Sequence, residues 1–225
     1  MTQFIIGVNI QVNPTVYLKN PETSELGRKI ITEGINLIDK IGYEDFTFRK
    51  LGQKIGSPEA SVYRYFQTKQ KFLLYLSSWY WSWMEYRLEF ALANIKSPQQ
   101  RLERAINLLT DRISEDSNYM QMNMAMLSRI IYTESSKSFL NKSVDSQNKQ
   151  GSYLGYKQLV QKVSNIILEV SPKYKYPNML VSTVIEGAHL QYFFGEHLQK
   201  LTNITSGRDN VKKFYLDMVV KTISE

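Results

Sequence analysis

The chain has 225 residues, 43% hydrophobic and 22% charged, the mix of an ordinary globular protein long enough to bury one large core or two small ones. Its formal charge of +7 favours an anionic partner. It has no cysteine, which excludes disulfides, thiolate metal sites and cysteine nucleophiles together.

Residues 1–23 read as an arm. Phe4, Ile5, Ile6, Val8, Ile10 and Val12 have β character, and Asn13-Pro14 and Asn20-Pro21 are turn signals. A short strand and an extended tail laid on the body or on DNA both fit. The start of the chain has no basic run, and no apolar stretch approaches the roughly 18 residues that a membrane helix needs. The expectation is a cytoplasmic protein with neither signal peptide nor membrane span.

The first helix is predicted from Ser24 to Ile41, with Leu26, Ile30, Gly34, Leu37 and Ile41 as its apolar stripe and Gly42 closing it. From Thr47 to Lys71 two short helices follow, then the start of a third. Thr47 is placed to cap the first of them, with Phe48, Leu51 and Ile55 at helical spacing. Gly56 ends it. Ser57 then offers an N-cap hydroxyl with Pro58 at the first helical position, and Ala60, Val62, Tyr63 and Phe66 carry the second helix. Two helices joined by a short Gly-containing turn make a helix-turn-helix. This stretch holds six basic side chains (Arg49, Lys50, Lys54, Arg64, Lys69, Lys71) against Glu59 alone, so most of the net charge sits on a small helical unit. A phosphate-binding surface needs such a concentration, although a solvated helical face also carries one.

The body is predicted all helical. A long aromatic helix runs from Lys69 to about Ile95, another from Pro98 to about 115, and another from Tyr119 to Thr133. In the last, Met120, Met122, Met124 and Met126 alternate as a strand would, but helix propensity decides the reading. Residues 134–150 are a loop or an interrupted helix. Helices resume over 152–170, 178–201 and 206–224, giving about nine in all.

The head resembles that of the TetR family of bacterial transcriptional regulators. The resemblance rests on Gly42-Tyr43, Thr47-Phe48-Arg49, Gly56 and the ending Tyr63-Arg64-Tyr65-Phe66-Gln67-Thr68-Lys69, and covers about residues 24–75. Where the family commonly has Ser, Lys and Gly, this chain has Pro58, Glu59 and Ala60.

The resemblance implies an all-α homodimer with an arm (1–23), a three-helix DNA-binding head (24–70) and a larger ligand-sensing and dimerisation bundle (71–225). On that frame Thr47, Arg49, Tyr63, Tyr65 and Lys69 are expected at phosphates of an operator duplex, and Ser57, Glu59, Ala60, Ser61 and Arg64 at or near base edges. Trp79, Trp83, Met122, Met126 and His189 are candidates to line a site for a small apolar or aromatic inducer, with ordinary core packing as the alternative. Val184, Gly187, Ala188 and Gln191 of the penultimate helix, with Phe214 and Met218 of the last, are the expected dimer interface.

An enzyme reading rests on Glu186-x-x-His189 and Glu196-His197. A carboxylate-bridged metal site needs a second Glu-x-x-His, but Phe194 stands three residues before His197. No enzyme activity, cofactor or metal is therefore expected. A DNA-binding dimer that answers to a protein partner instead of a small molecule stays open.

Overall fold

Capping side chains fix where the helices begin. Ser24, Thr47, Thr68, Ser97 and Asn123 accept from the backbone N–H of Gly27, Lys50, Lys71, Gln100 and Met126, each filling one of the donors that a helix start leaves unpaired. The structure, a computed structural model, describes residues 10–119, 121–204 and 210–224. Among these residues the elements are α1 (Glu25–Asp45), α2 (Phe48–Ile55), α3 (Glu59–Tyr63), α4 (Lys69–Leu92), α5 (Pro98–Leu109), α6 (Met124–Phe139), α7 (Val144–Lys149), α8 (Leu154–Val170), α9 (Pro177–His197) and α10 (Val211–Ile223). A two-stranded hairpin, β1 (Asn118–Tyr119) with β2 (Met122–Asn123), precedes α6. Among the described residues the chain is thus all-α apart from this hairpin.

Helices α1 to α3 form the head, and α4 runs from the head into the bundle. Phe46, Leu51, Val62, Phe66 and Phe72 fill the head's core. Phe72 stacks on Phe46 at 5.5 Å and meets Phe66 edge to face at 5.0 Å. A Cβ at residue 34 would lie 2.4 Å from Phe72 Cζ, so Gly34 is what lets α1 cross α4 this closely. In the bundle α4 packs on α5, α6 and α8, and α9 on α8 and α10. Residues on every face of α4 are buried, among them Leu73, Tyr75, Trp79, Tyr80, Trp83 and Met84. Burial on all sides explains why that segment shows no single apolar stripe.

Several expectations change. The alternating methionines do not open a helix at Tyr119. Asn118–Tyr119 pairs with Met122–Asn123 as the hairpin, with Gln121 at φ 68°, and α6 starts only at Met124. Residues 134–150 are an interrupted helix, α6 running on to Phe139 and α7 following. Over its described part the arm forms no strand and lies on the body, as the second of the two readings had it. It makes two 3-10 turns, Pro14–Val16 and Pro21–Thr23, and buries Ile10 and Val16. It also straps head to body. Leu18 N–H donates to the Tyr65 carbonyl at 2.7 Å, Lys71 Nζ to the Thr15 carbonyl at 3.2 Å, and Asn13 Nδ2 to the Gln150 carbonyl at 2.8 Å. Phe4, Ile5, Ile6, Val8, Met120 and Ser206 lie outside the described residues.

Candidate nucleic-acid interface

The two short helices of the head are locked by their turn. Gly56 sits at φ 71°, ψ 33°, a left-handed conformation that ends α2 and that a side chain would strain. Ser57 does not cap α3 as expected. Pro58 takes the N-cap position with extended backbone (φ −58°, ψ 147°) and no capping side chain, while Ser57 N–H donates back to the Gly52 carbonyl at 2.9 Å. The proline falls one residue early because its own carbonyl already receives the first turn's bond, from Ser61 N–H at 2.9 Å.

Around this turn Thr47, Arg49, Lys50, Ala60, Tyr63 and Arg64 are exposed, and Ser57, Glu59 and Ser61 are half-buried. Tyr63 keeps 47% of its surface open and braces its ring on Phe48, edge to face at 5.0 Å. Its hydroxyl can therefore meet a ligand without the ring leaving its support. Arg49 and Arg64 have no ion-pair partner among the described residues, which leaves both guanidinium groups free for phosphate or a base edge.

Two expected phosphate contacts sit elsewhere. Tyr65 is 3% exposed, and its hydroxyl shares a 2.8 Å hydrogen bond with Ser24 Oγ, the cap of α1. It ties α3, α1 and the arm together beneath the surface. Lys69 Nζ donates to the carbonyls of Tyr43 and Glu44 at 3.2 and 3.1 Å and lies over the Tyr43 ring, so it holds the end of α1. Its charge still adds to the head's field, but two of its three N–H groups are already used within the head.

The expected ligand-lining residues do not converge on one cavity. Trp79 is buried and donates Nε1 to Glu22 at 2.8 Å. Trp83 is buried beneath the Arg87 guanidinium, 4.7 Å from the ring centre. His189 is 5% exposed, lies against the Tyr132 ring at 3.9 Å and the Trp81 ring at 5.8 Å, and its Nδ1 has no partner. Burial pushes its pKa down to about 3, so the ring is neutral. Glu186 turns to Tyr156 instead, accepting its hydroxyl at 2.7 Å, so the Glu-x-x-His pair does not act together. Met126 is half-buried. Met122 does line a cavity, of about 420 Å³, bounded by Glu22, Arg28 and Ile31 on one side and Tyr75 and Gln121 on the other. A second cavity of about 460 Å³ opens between α1, α6 and α9.

Of the expected interface residues, Val184 and Ala188 are fully buried in the chain's own core and present no surface to a second copy. Gly187 faces Tyr215 of α10, whose hydroxyl would lie 2.3 Å from a Cβ there. Small residues here serve packing within the chain. Gln191 and Met218 are half-exposed and Phe214 is 56% exposed. Met179, Leu190 and Val220 are also exposed on α9 and α10.

Helix α6 connects the head to the rest. Arg129 grips Asp39 of α1 with two bonds (Nε–Oδ1 3.0 Å, Nη2–Oδ2 3.2 Å) and reaches Glu115 at 2.7 Å. Lys137 bridges Glu44 of α1 at 2.6 Å and Glu134 at 2.7 Å. The sequence reading missed both links, because they join residues some ninety positions apart.

Residues 30–76 match the model of the bacterial regulatory proteins of the tetR family. No curated protein sequence matches the chain. Among solved structures, one of AibR in complex with isovaleryl coenzyme A and operator DNA superposes with a TM-score of 0.59 at 14% identity, over 87% of this chain and 98% of that one. The TetR family transcriptional regulator PfmR from Thermus thermophilus gives 0.53 at 15% identity, over 87% and 97%. The superantigen PfiT gives 0.57 at 14% identity, over 88% and 96%. The head is thus of the TetR type, and the whole has the fold of TetR-family regulators. At such identities the likeness extends to fold alone.

Proposed function

We propose that this chain, with its TetR-type helix-turn-helix head, is a homodimeric transcriptional regulator, a repressor that leaves its operator when a small molecule binds. The observation that carries the reading is the open cationic face of the head: Thr47, Arg49, Tyr63 and Arg64 exposed around a rigid turn, with no acid among them but the half-buried Glu59. Arg49, Tyr63 and the Thr47 hydroxyl would hold phosphates; Ala60, Ser61 and Arg64 would meet base edges. Glu59 would repel phosphate and accept from a cytosine amino group, so it would select sequence more than it adds affinity. Two copies joined through Leu190, Gln191, Phe214, Met218 and Val220 would present two heads to half-sites about 34–36 Å apart, or farther if the heads splay. The AibR structure, which holds both a ligand and operator DNA, is the precedent for joining the two roles on this fold. We assign no reaction and no cofactor.

A second reading, release by a protein partner, draws on the filled interior. Trp83 and His189 are packed against neighbouring side chains, so a small ligand would have to bind away from them.

The test is selection of bound sequences from random duplex DNA with the full chain. A pseudo-palindromic site should emerge. Arg49→Ala should weaken it across sequences and lower the salt slope by about one, and Arg64→Ala should weaken it and relax the base preference at one position. No enrichment would refute DNA recognition, and an unchanged slope for Arg49→Ala with an unchanged preference for Arg64→Ala would refute the assigned face.

A further inference from the structure

The 3-10 turn at Pro21–Thr23 drives Glu22 into the side of α4. Its Oε1 accepts from Trp79 Nε1 at 2.8 Å and from the Tyr75 hydroxyl at 3.2 Å. Both donors are neutral: burial and the carboxylate itself push the Tyr75 pKa far up. Among the described residues no Lys, Arg or His comes within ion-pair distance of this carboxylate. Arg28 is near, but it donates to the Glu22 backbone carbonyl at 2.8 Å and is itself exposed. Glu22 is therefore a half-buried carboxylate held by two aromatic donors with its charge uncompensated. A cation supplied from outside would find there a fixed acceptor that no cation of the chain occupies.

Space for one is present on both sides. The cavity of about 420 Å³ has Glu22 and Tyr75 in its wall and Ile31 and Met122 as its apolar surface. A smaller hollow of about 220 Å³ shares Glu22 and Tyr75 and adds Tyr17, whose ring meets Tyr75 edge to face at 6.0 Å. A carboxylate in the same wall as Ile31 and Met122 fits a positively charged group on an apolar body. An anion would gain little from Arg28, which water screens, and would be repelled by Glu22.

We infer that the cavity between α1, α4 and the β1–β2 hairpin binds a small organic cation, its charge against the Glu22 carboxylate and its apolar body against Ile31 and Met122. Head residues Arg28, Ile31 and Thr32 form one wall, and Tyr75, Gln121 and Met122 of the body form the other, so an occupant touches both units. The idea that occupancy releases DNA rests on the function proposed above; the binding site does not.

The experiment is calorimetry on the full chain with benzyltrimethylammonium, phenylacetamide and phenylacetate, three aryl probes that are cationic, neutral and anionic. The ammonium should bind saturably at one per chain and the other two at least about tenfold more weakly. Glu22→Gln keeps an acceptor for Trp79 and Tyr75 and should weaken the ammonium about tenfold or more. Thr32→Lys, at a half-exposed position in the wall, supplies an internal cation and should do the same, so a folding defect in one variant does not spare the proposal. No saturable heat with the ammonium, equal binding of the amide or the carboxylate, or undiminished binding by both variants would overturn it. Operator affinity measured separately divides the two ideas. A chain that binds the ammonium yet holds DNA unchanged keeps the site and loses the release mechanism. One that binds DNA but never the ammonium loses the site and remains a regulator.

Discussion

His189 makes acid stability a direct probe of the bundle interior. Its ring lies flat between Tyr132 and Trp81, and its pKa is pushed from 6.5 down to about 3 by burial. The unfolded chain then binds a proton below pH 6.5 that the folded chain refuses until about pH 3. Stability from the neutral ring is fully present above pH 6.5 and is lost as pH falls through that window. The slope approaches about 1.4 kcal/mol per pH unit, and the integrated loss between pH 7 and pH 5 is about 2 kcal/mol. His189→Phe keeps a flat ring in the slot and removes both the titration and the unpaired Nδ1. Glu186, which burial pushes upward, titrates in both proteins and cancels in the comparison. Urea unfolding of the pair at pH 7, 6 and 5 is the assay. The wild type should lose about 2 kcal/mol more than the variant over that range. A difference constant with pH would refute the buried neutral histidine, and with it the claim that His189 is core and not part of a wet ligand site.

Tyr65→Phe should cost about 1 kcal/mol of stability through the lost Ser24 bond, with the salt slope of operator binding unchanged. Tyr63→Phe should leave stability unchanged and weaken operator binding by about 0.5–1.5 kcal/mol through the lost hydroxyl contact; if Tyr65→Phe alone alters DNA binding, the two tyrosines have been assigned the wrong way round. Gly34→Ala should destabilise the head by about 1–3 kcal/mol, because Phe72 has no room to retreat from the new methyl. Thermal unfolding indistinguishable from wild type would show that α1 and α4 are less close than described. Asp39→Asn should cost only about 0.5–1 kcal/mol, since the pair with Arg129 is partly solvated. It should nonetheless speed hydrogen exchange along the second half of α1, and unchanged exchange there would remove α6 as the head's anchor.

What could be read from the sequence was local. Thr47 and Thr68 each cap the N–H three residues on, and Gly56 takes the left-handed turn; these depend on neighbours only, and their residue types announce them. These caps and the turn were therefore legible in the sequence, whereas the start of α3 at Ser57 and Pro58 was not. Choices made by distant partners were not. Tyr63 and Tyr65 look equivalent, two positions apart at and just past the end of a five-residue helix, and it is the distant Ser24 that receives the Tyr65 hydroxyl beneath the surface. Small residues at Gly187 and Ala188 signal close helix approach correctly, but the approaching helix is the chain's own α10 for Gly187, and Ala188 is buried in the same core. Glu22 reads as favourable charge ahead of a helix, and nothing nearby reveals that Trp79 will claim it. Of the alternating methionines only Met122 lies in a described strand, which ends at Asn123, while Met124 and Met126 are already in α6.

The arm's crossing from head to body also makes it a tripwire. Between Asn13, held by Gln150, and Leu18, held by Tyr65, the backbone carries exposed Pro14 and Thr15 with the buried Val16 between the anchors. A protease needs several consecutive residues drawn out of such a bond, so cutting here requires the head to tilt away first. The cleavage rate at 14–18, followed with and without DNA or ligand, would therefore serve as a built-in gauge of head posture that needs no attached label.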